Sequence, residues 1–147
     1  MNELSQDSEQ RTRESVARQP LLKLYGVEVG ALSRGYIELT ASPRDFMRRT
    51  SGIVHGGVLA ALADSAGGYA LATMEDSPFL LTVEFKINFL RVAEGEQILA
   101  IGRVLKNGRT LAVAQADLYM TDAGEKKQVA TALVTLIKKH NHGNQDS

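Results

Sequence analysis

Four runs in the second half of the chain alternate apolar and polar residues: Phe79–Arg91, Gln97–Lys106, Arg109–Thr121 and Lys127–Lys138. A period of two is what a strand with one buried face requires. The first run is the clearest, setting Val83, Phe85, Ile87 and Phe89 against Thr82, Glu84, Lys86 and Asn88. Glu94-Gly95-Glu96, Asn107-Gly108 and Asp122-Ala123-Gly124 separate the runs with residues that turns favour. Asn107-Gly108 suits a tight hairpin, since both residue types tolerate positive φ. Taken in chain order, the runs predict a four-stranded antiparallel meander. Upstream, Val27, Val29 and Leu32 lead through Arg34-Gly35 to Tyr36, Ile37 and Leu39, a further pair of strands joined at a glycine turn.

Between the two groups of strands the pattern changes. From Val58 to Met74 the residues are small, helix-compatible and almost uncharged, and Asp76-Ser77-Pro78 follows as a stop. Apolarity on every side predicts a helix buried in the middle of the fold. The stretch from Gly56 to Met74 is nearly long enough to cross a bilayer. Asp64 stands at its middle, however, and Gly67-Gly68 interrupt it, so a core helix is the better reading. No strand–helix–strand repetition accompanies it, which argues against a parallel doubly wound sheet. The fold class is therefore α+β, an antiparallel sheet wrapped around one long central helix. Pro20–Tyr25 reads as the end of a short docking helix, and Pro43–Ile53, with Arg44, Asp45, Arg48 and Arg49, as a polar loop. Residues 1–18 lack apolar periodicity and are expected to be flexible or to form a short helix from about Glu9; residues 140–147 are expected to be a disordered tail. One domain, 19–139, lies between them.

Composition narrows the chemistry. The 147 residues are 44% hydrophobic, enough for a single core without a disulfide or metal staple. With no cysteine, thiolate zinc sites, Fe–S clusters and Cys nucleophiles are excluded. Seventeen basic and 17 acidic residues balance, and with no Trp and 5% aromatics the chain offers neither a basic grip nor a stacking platform for nucleic acid or an anionic membrane. Met1–Gln19 is polar, without the apolar core of a secretory signal, so the expected location is cytoplasmic. There is no Gly-x-Ser-x-Gly elbow and no phosphate loop. His140 and His142 stand in the polar tail, and no metal is expected.

Two features carry chemistry. Asp64 is the lone charge of the central helix, with no Lys or Arg within a turn or two. A buried unpaired carboxylate costs several kcal/mol, so it either reaches solvent, accepts hydrogen bonds from a neighbouring segment, or is kept for function. The second feature is Gly52-Ile53-Val54-His55-Gly56-Gly57 at the start of that helix. The first N–H groups of a helix lack internal partners and lie at the positive end of its dipole, so glycines there suit a developing oxyanion. A plain loop-to-helix entry capped by His55 is the alternative. Together the two features suggest acyl transfer or hydrolysis. Eight helical residues separate Gly56 from Asp64, about 12 Å along the axis, too far to share one carbonyl. Two antiparallel helices across a two-fold axis bring them together, which predicts a homodimer with shared sites.

His55-Gly56-Gly57-x-x-Ala60-x-x-Ala63-Asp64 resembles the signature of hotdog-fold thioesterases of the phenylacetate-pathway and 4-hydroxybenzoyl-CoA type. The resemblance extends from about Pro20 to Lys138. It takes in Gly26-Val27-Glu28, the run from Thr82 to Arg91, and Asn107-Gly108-Arg109-Thr110. It implies an acyl-CoA thioesterase without a cofactor, coenzyme A being part of the substrate. In that case Gly56 supplies the oxyanion N–H, His55 orients the thioester, Asp64 is nucleophile or general base, and Thr82 helps to hold the water. Arg91, Asn107, Gly108, Arg109 and Thr110 are the implied contacts to CoA, with Gly57, Ser65 and Arg49 completing the substrate site. Homodimers, often paired into tetramers, are implied as well. Arg49 stands where many relatives carry Asn or Gln, which leaves a non-catalytic acyl-CoA-binding protein as the alternative. A hotdog dehydratase is a third reading.

Overall fold

The computed structural model describes residues 3–75 and 79–139. The expected Asp76-Ser77-Pro78 stop and the tail with its two histidines lie outside the described residues. Ten elements follow in order: α1 (Gln6–Arg18), α2 (Pro20–Tyr25), β1 (Glu28–Ser33), β2 (Tyr36–Ala41), a 3₁₀ turn (Asp45–Met47), α3 (Gly56–Ala72), β3 (Phe79–Phe89), β4 (Gln97–Asn107), β5 (Leu111–Asp122) and β6 (Glu125–Lys139).

The N-terminal segment is more ordered than its pattern suggests. Helix α1 begins three residues before Glu9, where Ser5 caps it by accepting from the Ser8 N–H at 3.1 Å. Asp7 and Glu9 in its first turn and Arg18 in its last suit the helix dipole. A long apolar stripe is unnecessary because polar bonds do the docking. Arg13 donates to the Val29 and Gly30 carbonyls, both at 3.2 Å, and Arg11 to the Glu75 carbonyl at 2.9 Å, while Val16 enters the core. Helix α2 starts with Pro20 and ends at Gly26, whose φ of 71° is the left-handed conformation glycine adopts without strain.

All six strands form one antiparallel sheet in the order β1-β2-β4-β5-β6-β3. The meander therefore has three strands, β4 to β6, and not four. β3 crosses to the far edge and pairs with β6 from Phe79↔Lys139 to Phe89↔Ala130, while β2 takes the place beside β4. Alternation tells which face a residue takes, not which strand lies alongside. The hairpins also differ from expectation. Asn107 ends β4 and residues 108–110 form the loop; neither Asn107 nor Gly108 has positive φ. Gly108 is needed for space, since a Cβ there would lie 2.4 Å from the Leu111 carbonyl oxygen. The tight two-residue turn is at Ala123 (φ 51°) and Gly124 (φ 84°), closing the Asp122↔Glu125 pair.

Helix α3 packs on β2 to β6. Its buried side is built from Ala63, Ala66, Gly67 and Ala70, against Ala100, Ala114, Ala116 and Ala132 of the sheet. Small residues let the layers approach closely: a Cβ on Gly102 would lie 2.1 Å from the Ala66 carbonyl oxygen. The helix is not enclosed all round, however. Asp64, Ser65, Gly68, Tyr69 and Ala72 form a half-buried stripe beside a cavity. On the outer sheet face, Asp117 is buried and accepts from Gln128 (3.0 Å) and Thr131 (2.8 Å). Nearby, Tyr36 donates to Glu38 at 2.5 Å; burial and then that bond push its phenol up to about 12. No helix among the described residues is long and apolar enough to cross a membrane, and they contain no cluster of three metal-ligating side chains.

Candidate active site

Asp64 neither lies sealed in the core nor stands alone. Thr82 Oγ1 donates to its Oδ1 at 2.6 Å, a short bond of the kind an ionised acceptor makes. Its Oδ2 has no partner among the described residues. The donor comes from β3, and a bulge makes this possible. Thr82 pairs with Leu136 but Glu84 pairs with Thr135, so Val83 is an extra residue. Strict alternation would put Thr82 and Glu84 on one polar face. The bulge sends them to opposite faces, Thr82 toward α3 and Glu84 outward to Thr135, whose hydroxyl it accepts at 2.8 Å. Both Asp64 and Thr82 line a cavity of about 440 Å³, together with Ser65, whose hydroxyl makes no hydrogen bond to a described residue.

At the N-terminus of α3, His55 takes the cap position, but its side chain is exposed and makes no capping bond. Its backbone does the work: the N–H donates to the Met47 carbonyl at 2.9 Å, and the carbonyl accepts from Val58 (3.0 Å) and Leu59 (3.2 Å). The Gly56 and Gly57 N–H groups are left without an acceptor among the described residues. Space around Gly57 is open, whereas a Cβ on Gly56 would meet the Phe89 ring at 3.1 Å. The preceding loop is pinned by Arg48, which donates to the Gly52 carbonyl (2.8 Å) and the Gly95 carbonyl (3.1 Å). Arg49 anchors the same loop through its backbone, with its N–H to the Ile53 carbonyl at 2.7 Å, and its side chain is exposed.

The expected CoA contacts fall into two groups. Arg91 follows β3 near the Gly56 end and donates to the Gln128 carbonyl at 2.8 Å. Asn107 lies at the other end of α3, tied to Glu75 (3.3 Å) and to Lys138 (2.6 Å), and Lys138 in turn pairs with Glu75 at 3.1 Å. Gly108, Arg109 and Thr110 continue that loop, and the Thr110 carbonyl accepts from the Lys138 N–H. Within one chain the structure thus joins Asp64, Ser65 and Thr82, joins His55, Gly56 and Gly57, and keeps both sets apart from residues 107–110. Sequence reasoning missed Phe89 and the cavity residues Ser15, Leu22 and Tyr69. Of these only Tyr69 left a signal, its helical spacing from Asp64 and Ser65.

The thioesterase superfamily model matches residues 51–127, just over half of the chain and the whole of α3 with most of the sheet. The chain belongs to the thioesterase superfamily. A thioesterase family protein from Silicibacter pomeroyi is 37% identical in sequence, with a TM-score of 0.87 over 91% of this chain and 99% of that one. Mouse acyl-coenzyme A thioesterase 13 is 36% identical over 75 residues, 50% of this chain and 54% of its own length. The E. coli PaaI protein from the phenylacetic acid degradation operon, at 21% identity, shares the fold alone. Its TM-score is 0.84, covering 94% of this chain and 97% of that one. The six-stranded sheet around α3 is the hotdog arrangement of this superfamily. In this thioesterase-superfamily chain, the matched residues include His55, Gly56, Gly57, Asp64 and Thr82.

Proposed function

We propose that the chain hydrolyses the thioester of an acyl- or aryl-CoA to the free acid and CoA, at two sites shared across a homodimer. The observation that carries this reading is the Thr82–Asp64 bond at the edge of a cavity, which holds one carboxylate oxygen and leaves the other free. The two open N–H groups of Gly56 and Gly57 support it as the oxyanion site. Asp64 either takes a proton from the attacking water or attacks the carbonyl itself; in both routes the carbonyl oxygen gains the negative charge. Collapse expels CoA as a thiolate, which then takes up a proton. After direct attack, water hydrolyses the acyl–Asp64 anhydride, releasing the acid and restoring the carboxylate. His55, exposed beside the open N–H groups, orients the thioester, while Arg49 and Arg91 flank that end for the CoA phosphates. No cofactor is required beyond the CoA carried by the substrate.

The continuous helix keeps Gly56 and Asp64 about 12 Å apart, so one chain does not complete a site. A partner chain is also suggested by β3, an edge strand that leaves Leu81, Val83, Phe85 and Phe89 exposed. Antiparallel pairing of the helices sets each Gly56 against the partner's Asp64. It also carries each 107–110 loop past the other chain's Gly56 end, onto the side of Arg49 and Arg91. Purified protein should release free thiol from at least one member of a panel of short, long and aromatic acyl-CoAs. Asp64→Ala should lower kcat by about three orders of magnitude or more while leaving the assembly intact. A panel without any turnover overturns the reading. Single-turnover hydrolysis in oxygen-18 water separates the two roles of Asp64.

A further inference from the structure

The cavity that begins at Asp64 has its far wall in the N-terminal helices. On α3 it is lined by Asp64, Ser65, Gly68, Tyr69 and Ala72, which are offset by one, four, five and eight residues and so share one helix face. The cavity thus follows α3 for two turns, about 12 Å, away from Gly56. Gly68 keeps the floor clear: even a Cβ there would find nothing nearer than Leu136 Cδ2 at 3.8 Å. Leu22, Leu80 and Leu136 make the sides apolar. Across the cavity Ser15 Oγ and Tyr69 OH are hydrogen-bonded at 2.9 Å, joining α1 to α3. No Lys or Arg lines it, so it offers nothing to the phosphates of CoA. Its volume and lining suit the other part of a CoA thioester.

We propose that this cavity takes the acyl chain and that Tyr69, held in place by Ser15, sets the longest chain admitted. The N-terminal helices are then a selecting wall rather than an appendage. The inference rests on Asp64 being the reacting carboxylate, and its test separates the two ideas. Binding of non-hydrolysable thioether analogues of acyl-CoA, with saturated chains of increasing length, is measured by calorimetry on the full chain. Turnover of the matching thioesters is followed alongside. Affinity should rise about fourfold per methylene, the gain of burying one CH₂, up to a break where the chain meets Tyr69. Tyr69→Ala should move the break to longer chains and raise affinity for the first excluded analogue about tenfold or more, two further methylenes of burial. That gain should appear in KM for long chains rather than in kcat. Ser15→Leu, which adds bulk from the α1 side, should move the break to shorter chains, and it tests the wall even when Tyr69→Ala does not fold. A break that neither substitution moves, or wild-type affinity that ignores chain length, overturns the proposal. A break without any turnover keeps the wall and removes the hydrolase; turnover with an immovable break does the reverse.

Discussion

The single hydroxyl of Thr82 holds one oxygen of Asp64, which is what the proposed role of this carboxylate as nucleophile or base requires. A hydrogen bond to a charged group contributes about 1.5–3 kcal/mol, so Thr82→Val should lower kcat by about one to two orders of magnitude, with Thr82→Ser close to wild type. Steady-state kinetics on both variants checks this. At the other set of groups, Gly56→Ala drives a methyl toward the Phe89 ring, which stands 3.1 Å from where the Cβ would be. It should cut kcat/KM, and Phe89→Leu in the same chain should restore part of the loss; two additive defects would contradict the contact. Asp64 was legible because it is the only charge on its helix. Its partner was not, since alternation along β3 sets Thr82 beside Glu84, and the extra residue that reverses this is Val83, with nothing in its chemistry to mark a bulge. His55 was equally readable as a cap, and only its exposed, unbonded side chain separates the two readings.

At the scale of elements, the position of Asp64 depends on how closely α3 lies on β4. Gly102→Ala places a methyl against backbone, the Ala66 carbonyl, which cannot rotate away. It should cost about 1–3 kcal/mol, read as a lower urea midpoint. Gly67→Ala should also destabilise but cost less. Its added methyl meets Val134 Cγ2 at 3.0 Å and Cβ at 3.1 Å, tight against a buried side chain, whereas at Gly102 the contact is 2.1 Å and to backbone. The division into strands, one central helix and four longer strands was legible from period alone. Strand order was not, because β3 and β4 are joined by residues 90–96, which cross the sheet rather than turn back on it. Helix α1 was legible only as one of two readings, and from about Glu9 rather than Gln6, for another reason. It docks through Arg11 and Arg13 to backbone carbonyls, contacts that leave no apolar period behind.

For the whole molecule, the apolar edge of β3 and the separation of Gly56 from Asp64 bear on the same question. Light scattering should show a dimer or a dimer of dimers, and Phe85→Asp, at the β3 edge, should shift it toward monomer with a parallel loss of turnover. A fully active monomer would remove the shared site. The groups assigned to chemistry lie between His55 and Thr82, whereas α1 and α2 supply the outer wall of the cavity. On the proposed reading, the outer wall is thereby written in a different stretch of the chain from the reacting groups, while Tyr69, which meets that wall at Ser15, lies among them. If the cavity takes the acyl chain as proposed, drift in residues 6–25 retunes what fits while the carboxylate and its hydroxyl stay as they are, and a lineage passes from one acyl preference to another without crossing an inactive ancestor.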